Sequence, residues 1–163
     1  MTRIYANRPF VRRMTASTVV LVVAMLFGVW ELYSSFQLPE ESGYGPLFGV
    51  LFLGGGAYGF WQLLTQFADH VVSLDADGTQ AVVKVWKPFG SRVIATPIDQ
   101  FHNWRFEMVK VGNNTGPMVL ANHADYPRPL RFGLGSGIPI NDAFRSIAEG
   151  AVAAFERSDR KSA

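Results

Sequence analysis

Two stretches decide the fold of this chain: TASTVVLVVAMLFGVWELYSSF at residues 15–36 and PLFGVLFLGGGAYGFWQLLTQF at residues 46–67. At about 1.5 Å rise per residue, each is long enough as a helix to cross roughly 30 Å of hydrocarbon. The second carries no charge. The first carries only Glu31, set between Trp30 and Tyr33 near its far end, where amphipathic rings favour the headgroup layer. Pro46 opens the second stretch, a position where a missing N–H costs little. Both stretches are therefore expected to be transmembrane helices.

The connection at residues 37–45 is short and acidic, with Pro39, Gly43 and Gly45 as turn formers. Spans joined so tightly must run antiparallel. Arg3, Arg8, Arg12 and Arg13 precede the first span without an acid, whereas the connection carries only Glu40 and Glu41. The positive-inside rule then predicts both termini in the cytoplasm and the connection outside; the membrane expected is the inner (cytoplasmic) one. A cleaved signal peptide would share the basic start, but the apolar run is long for one.

Of 163 residues, 48% are hydrophobic and only 17% charged, and the imbalance is local. From residue 14 to 68 the only charges are Glu31, Glu40 and Glu41, while residues 69–163 read like a water-soluble domain. The expected organisation is a basic N-terminus at 1–14, a helical hairpin at 15–68, a cytoplasmic, mostly β domain at 69–157 and a flexible tail at 158–163. With no cysteine, disulfides, thiolate metal sites and cysteine nucleophiles are excluded. A net charge of +2 without a basic block gives no sign of nucleic acid as a partner.

The β domain announces itself by turns. HVVSLDADGTQAVVKVW places two β-branched runs around Asp75-Ala76-Asp77-Gly78, a hairpin signal. Lys87-Pro88-Phe89-Gly90 and Asn113-Asn114-Thr115-Gly116 mark further turns. Between them WRFEMVKV alternates, with Trp104, Phe106 and Met108 on one face. In all, six or seven strands are expected as an antiparallel meander. Asn141 or Asp142 can then cap one helix whose stripe is Phe144, Ile147, Ala148, Ala151 and Phe155. The predicted class is a membrane α-helical hairpin plus an α+β domain, a bent antiparallel sheet closed by a C-terminal helix.

This order of elements resembles bacterial membrane proteins in which two transmembrane helices precede a pleckstrin-homology-like domain. The resemblance covers nearly the whole chain and rests on element order. It implies a binding or scaffolding module without catalysis. It transfers no functional residues, and the acidic first turn, with Asp75 and Asp77, does not match a phosphate-binding loop.

Candidate chemistry is sparse. His70, His102 and His123 lack ligand-like spacing and are read as surface or turn groups. Gly133-Leu134-Gly135-Ser136-Gly137 superficially suggests a phosphate cradle, but Ile138 stands where a dinucleotide fingerprint needs glycine. No enzyme, metal, cofactor or small-molecule ligand is expected. Gly49, Gly55, Gly56 and Gly59 form a small-residue stripe suited to close helix packing, either within the hairpin or on membrane-protein partner subunits. Arg8, Arg12 and Arg13 are candidates for contact with anionic lipid in the bilayer. Trp86 is a candidate outward protein-contact anchor. The expected role is an accessory, assembly or scaffold subunit of a larger membrane complex, respiratory or photosynthetic in type. The alternatives are a self-assembling channel or small transporter with a cytoplasmic vestibule, and a membrane-anchored lipid- or peptide-binding module.

Overall fold

A computed structural model describes residues 1–37, 43–111, 114–134, 138 and 140–160. Glu40 and Glu41 of the connection, Asn113, Gly135 to Gly137 and the last three residues lie outside it. The chain forms two compact units. One joins Met1–Val11 to Gln66–Ala163; the other is Arg12–Thr65.

The second unit is the helical pair. Helix α1 covers Arg8–Gln37 and α2 covers Gly45–Phe67, and both are long and apolar enough to cross a membrane. α1 begins earlier than the apolar run because Asn7 caps it: its side-chain oxygen accepts from the Phe10 N–H at 3.1 Å. The large outward side chains, among them Val20, Leu26, Trp30, Leu51, Tyr58 and Trp61, are exposed. Hydroxyls along the helices are satisfied locally, Thr18, Ser35 and Thr65 each donating to the carbonyl four residues back.

The first unit holds seven strands among the described residues. Strands β1 (Thr2–Ala6), β2 (Val71–Ala76), β3 (Gln80–Lys87) and β4 (Gly90–Pro97) form one antiparallel sheet in that order. Strands β5 (Phe101–Val111), β6 (Asn114–His123) and β7 (Tyr126–Gly133) form a second, also antiparallel. A parallel bridge from His70 to Arg131 links them. The turn expected at Asp75–Gly78 is present: Gly78 adopts φ 98° and the Asp77 carboxylate accepts from the Gln80 N–H at 3.1 Å. Pro127 and Pro129 fall on β7, an edge strand, where a missing N–H leaves no ladder bond unmade.

Strand β1 revises the expected domain boundaries. Residues 1–14 divide: Thr2–Ala6 pair with β2, and Arg8 onward is helix. A bulge between Arg3 and Tyr5 lets two successive side chains, Ile4 and Tyr5, enter the core. The Tyr5 hydroxyl donates to the Gly133 carbonyl at 2.9 Å, and burial raises its pKa. Gly133 is a point of close approach, because a Cβ there would lie 2.9 Å from Asn7 Nδ2. The whole helical hairpin is therefore inserted, along the chain, between two adjacent strands of one sheet.

The core gathers Tyr5, Leu74, Val83, Val119, Leu130, Phe132, Phe144 and Val152 from both sheets and the C-terminal helices. Its centre is aromatic: Tyr5 lies 5.3 Å from Phe132 and 5.2 Å from Phe144, and Trp104 lies 5.3 Å from Phe132. Met108, expected on the face of Trp104 and Phe106, is exposed because no β5 residue beyond Phe106 joins the core. The single C-terminal helix proves to be two, α3 (Asp142–Ile147) and α4 (Glu149–Arg160). Ala148 leaves helical geometry at φ −112°, ψ 31°, just before the poor helix former Gly150. The expected stripe survives the break: Phe144, Ala148 and Ala151 are buried, and Ile147 and Phe155 pack at the margin. Asn141 caps α3, accepting from the Phe144 N–H at 2.9 Å. Asn141→Ala should cost about 1 kcal/mol of unfolding free energy, read as a lower denaturant midpoint at unchanged slope.

Candidate functional site

The glycines of α2 do not form one surface. A Cβ built at Gly49 would lie 2.6 Å from Leu32 Cγ, at Gly56 2.5 Å from Met25 Cγ, and at Gly59 2.6 Å from Leu21 Cδ2. On α1, Gly28 reciprocates, with the Leu53 nitrogen 2.7 Å from its would-be Cβ. These four glycines let the two helix backbones approach each other, the packing that lipid leaves to small residues. Gly54 and Gly55 differ: among the described residues a Cβ at either meets nothing within 4 Å. The stripe singled out in the sequence thus separates into an inward set, Gly49, Gly56 and Gly59, and an outward position, Gly55, with Gly54 beside it.

Arg8, Arg12 and Arg13 are exposed in the first two turns of α1. Trp86, expected as an outward anchor, is instead 4% exposed. Its ring meets Phe10 at 6.3 Å and Phe67 at 6.4 Å, both edge-on. The strand face opposite Val83 and Val85 is covered by the start of α1 and the end of α2, so Trp86 packs internally and offers no contact surface.

His70 sits in the same aromatic group and is not a surface residue. It is 3% exposed, stacked on Phe10 at 5.0 Å and 11°, with Phe67 at 5.2 Å. Its Nδ1 is buried and has no hydrogen-bond partner among the described residues. Burial, then the nearby Arg131 charge, lowers its pKa from the ordinary 6.5 to about 4, against a smaller opposing pull from a backbone hydrogen bond at Phe67. His70 is therefore neutral at pH 7.

The other two histidines meet at an open groove of about 460 Å³. It is lined by the start of β5 (His102, Asn103, Arg105), the end of β6 (Asn122, His123) and the following turn and strand, including Tyr126 and Arg128. Two irregularities shape it, bulges at His102/Arg105 and at Ala121/His123. Bulges re-aim side chains at such places. Asn103 lies within the first, in the left-handed region at φ 54°, where a side chain other than glycine is uncommon.

His123 is locked. The Asp125 N–H donates to its Nδ1 at 3.1 Å, so its proton is on Nε2 and donates to Thr96 Oγ1 at 3.1 Å. The Thr96 hydroxyl donates onward to Gln100 Oε1 at 2.9 Å. Burial lowers the His123 pKa, partly offset by Asp125. This chain of bonds braces the groove wall. Arg105 gives its Nε to Glu107 at 2.6 Å and an Nη1 hydrogen to Asn122 Oδ1 at 3.4 Å. Arg128 approaches Asp69 at 3.7 Å, and Arg92 stands 5.3 Å from the Tyr126 ring centre. Burial, with Asp69 second, raises the Tyr126 pKa. Among the described residues no three His, Asp or Glu side chains are grouped to hold a metal ion.

Sequence reading missed this groove because its residues come from three strands and no spacing links them. The sole local trace is the pair of prolines in YPRPL, which marks an edge strand but not a site. No family model, curated protein or solved structure matches the chain, and its function is argued from this geometry.

Proposed function

We propose that the chain is a non-catalytic integral membrane subunit that docks on a larger membrane complex through the outward face of α2. The observation that carries this reading is the division of the glycines. Four serve the hairpin itself, while Gly54 and Gly55 leave a shallow, Cβ-free strip on the other side of the helix. Such a strip lets a second helix approach to backbone distance, where dispersion and weak Cα–H contacts hold it. The β domain is read as pleckstrin-homology-like, with the hairpin filling its first loop. The basic flank of α1 supports the reading of both termini as cytoplasmic. That β1 and β2 pair, one before and one after the hairpin, supports a hairpin whose two ends return to one side.

The inward and outward glycines provide the test. Gly56→Leu collides with Met25 and should loosen the hairpin itself. Gly55→Leu should leave the hairpin intact, as judged by helical circular dichroism and resistance to limited proteolysis in mild detergent. It should nonetheless weaken partner association about tenfold or more, because overpacking an interface costs about 1–3 kcal/mol. Undiminished co-purification of every partner with the Gly55→Leu protein overturns the docking reading.

A further inference from the structure

The groove between β5 and the β6–β7 hairpin has a consistent electrostatic character. Its lining contributes two guanidinium groups, two side-chain amides and an exposed histidine, and no carboxylate. Arg105 keeps three of its five N–H donors beyond those given to Glu107 and Asn122. Arg128, whose side chain is 64% exposed, makes a 3.7 Å ion pair with Asp69, its one ionic partner among the described residues. The carboxylates nearby are Glu107 and Asp69, paired to these two arginines, and Asp125, beside His123. The Arg105–Glu107 pair is open to solvent and worth about 0–1 kcal/mol, so Arg105 can turn to a better acceptor. Arg128 is itself exposed and stands a loose 3.7 Å from the buried Asp69 carboxylate, which leaves its guanidinium donors open to the groove. Guanidinium forks match phosphate oxygens in a bidentate way.

The groove also has a fixed place along the chain relative to the end of α2. The Tyr126 hydroxyl donates to the Ala68 carbonyl at 3.3 Å, and Arg128 pairs with Asp69. Ala68 and Asp69 are the two residues that follow the helix end at Phe67. Two residues reach at most about 7 Å, and the headgroup layer on each side of the hydrocarbon is about 5–7 Å thick. The groove is thus bonded to residues within that reach of the end of α2.

We propose that this groove is a binding site for a phosphate oxyanion, held by Arg105, Arg128, Asn103 and Asn122, with anionic lipid headgroups as its source. The lipid source rests on the reading of α1 and α2 as membrane spans; the oxyanion chemistry does not. The bulges and the left-handed Asn103 are the built part of the site, bringing residues from three strands to one opening.

The test uses the full chain in nanodiscs of phosphatidylcholine, with or without phosphatidylglycerol. Resistance to alkaline carbonate extraction reports insertion separately. Amide hydrogen exchange over residues 102–105 and 122–128 reports occupancy. Phosphatidylglycerol should slow exchange there several-fold in the wild type and in Arg157→Gln, which removes the same charge from α4. It should not do so in the double variant Arg105→Gln with Arg128→Gln. If the double variant loses core protection, Arg105→Gln alone decides, since its partners Glu107 and Asn122 are not buried. Slowing by inorganic phosphate in phosphatidylcholine discs, with the same dependence on the arginines, supports the site and assigns its source to soluble phosphate. If the chain does not insert, the membrane reading fails, and this phosphate arm still decides the site. Exchange unchanged by either anion, or slowed equally in the arginine variants, overturns the proposal.

Discussion

Residues 66–163 expressed alone should fail to fold, whereas residues 1–11 joined to them by a short Gly/Ser linker should give a folded, water-soluble domain. The reason is strand β1. Ile4 and Tyr5 are buried in the core although the hairpin separates them from the rest of it. Losing a buried side chain of this size costs about 2–5 kcal/mol once the cavity is included. The Tyr5 hydroxyl bond to Gly133 and the β1–β2 ladder add about 1 kcal/mol for each hydrogen bond lost. Together these losses rival the whole stability of a small domain, about 5–15 kcal/mol. β2 would also become a bare edge beside an exposed core, an invitation to aggregation. The measurement is near-ultraviolet circular dichroism and cooperative urea unfolding of the two fragments. A cooperatively folded 66–163 fragment would refute the assignment of β1 to the core. The linked fragment also tests the insertion: if the hairpin only interrupts the β domain, a linker spanning residues 12–65 should restore it.

The second large effect is an acid instability set by His70. Its folded pKa, about 4, lies below the unfolded value near 6.5. The unfolded chain therefore takes up a proton that the folded chain refuses. Stability from this group is complete above about pH 6.5 and is lost as pH falls from there toward 4, with a total of about 3 kcal/mol. The physical cause is the aromatic box: Phe10 and Phe67 exclude water from the ring, Arg131 repels the added charge, and Nδ1 has no acceptor to welcome a proton. Denaturant unfolding of the full chain in detergent, run from pH 7 to pH 4, should show this loss in the wild type. His70→Phe keeps a ring in the box and removes the titration, so its profile should be flatter by most of that amount. His123, also lowered, contributes in the same window, and His123→Gln separates its share. Parallel profiles for wild type and His70→Phe would show that the box does not control acid stability.

The sequence by itself determined the two apolar helices, the change to a water-soluble composition near residue 69, the hairpin at Asp75–Gly78 and the stripe of the C-terminal helices. Each is a local property: an uninterrupted apolar run, a composition, a turn residue with positive φ, a periodicity of 3.6. A reader needs only neighbouring residues to see them. Only the tertiary structure decided the rest, because the rest is non-local. Five residues, TRIYA, are too short to announce a strand, and their partner lies beyond a hairpin more than fifty residues long. Which glycines face inward depends on how α1 and α2 rotate against each other, and a stripe in one helix does not state that angle. Trp86 and His70 are buried by Phe10 and Phe67, brought to them by the ends of two helices. The groove required two bulges and a left-handed asparagine, features that shift a strand by one residue and leave no periodic mark. In this protein the apolar hairpin is written in composition, while the surface of its β domain is written in register.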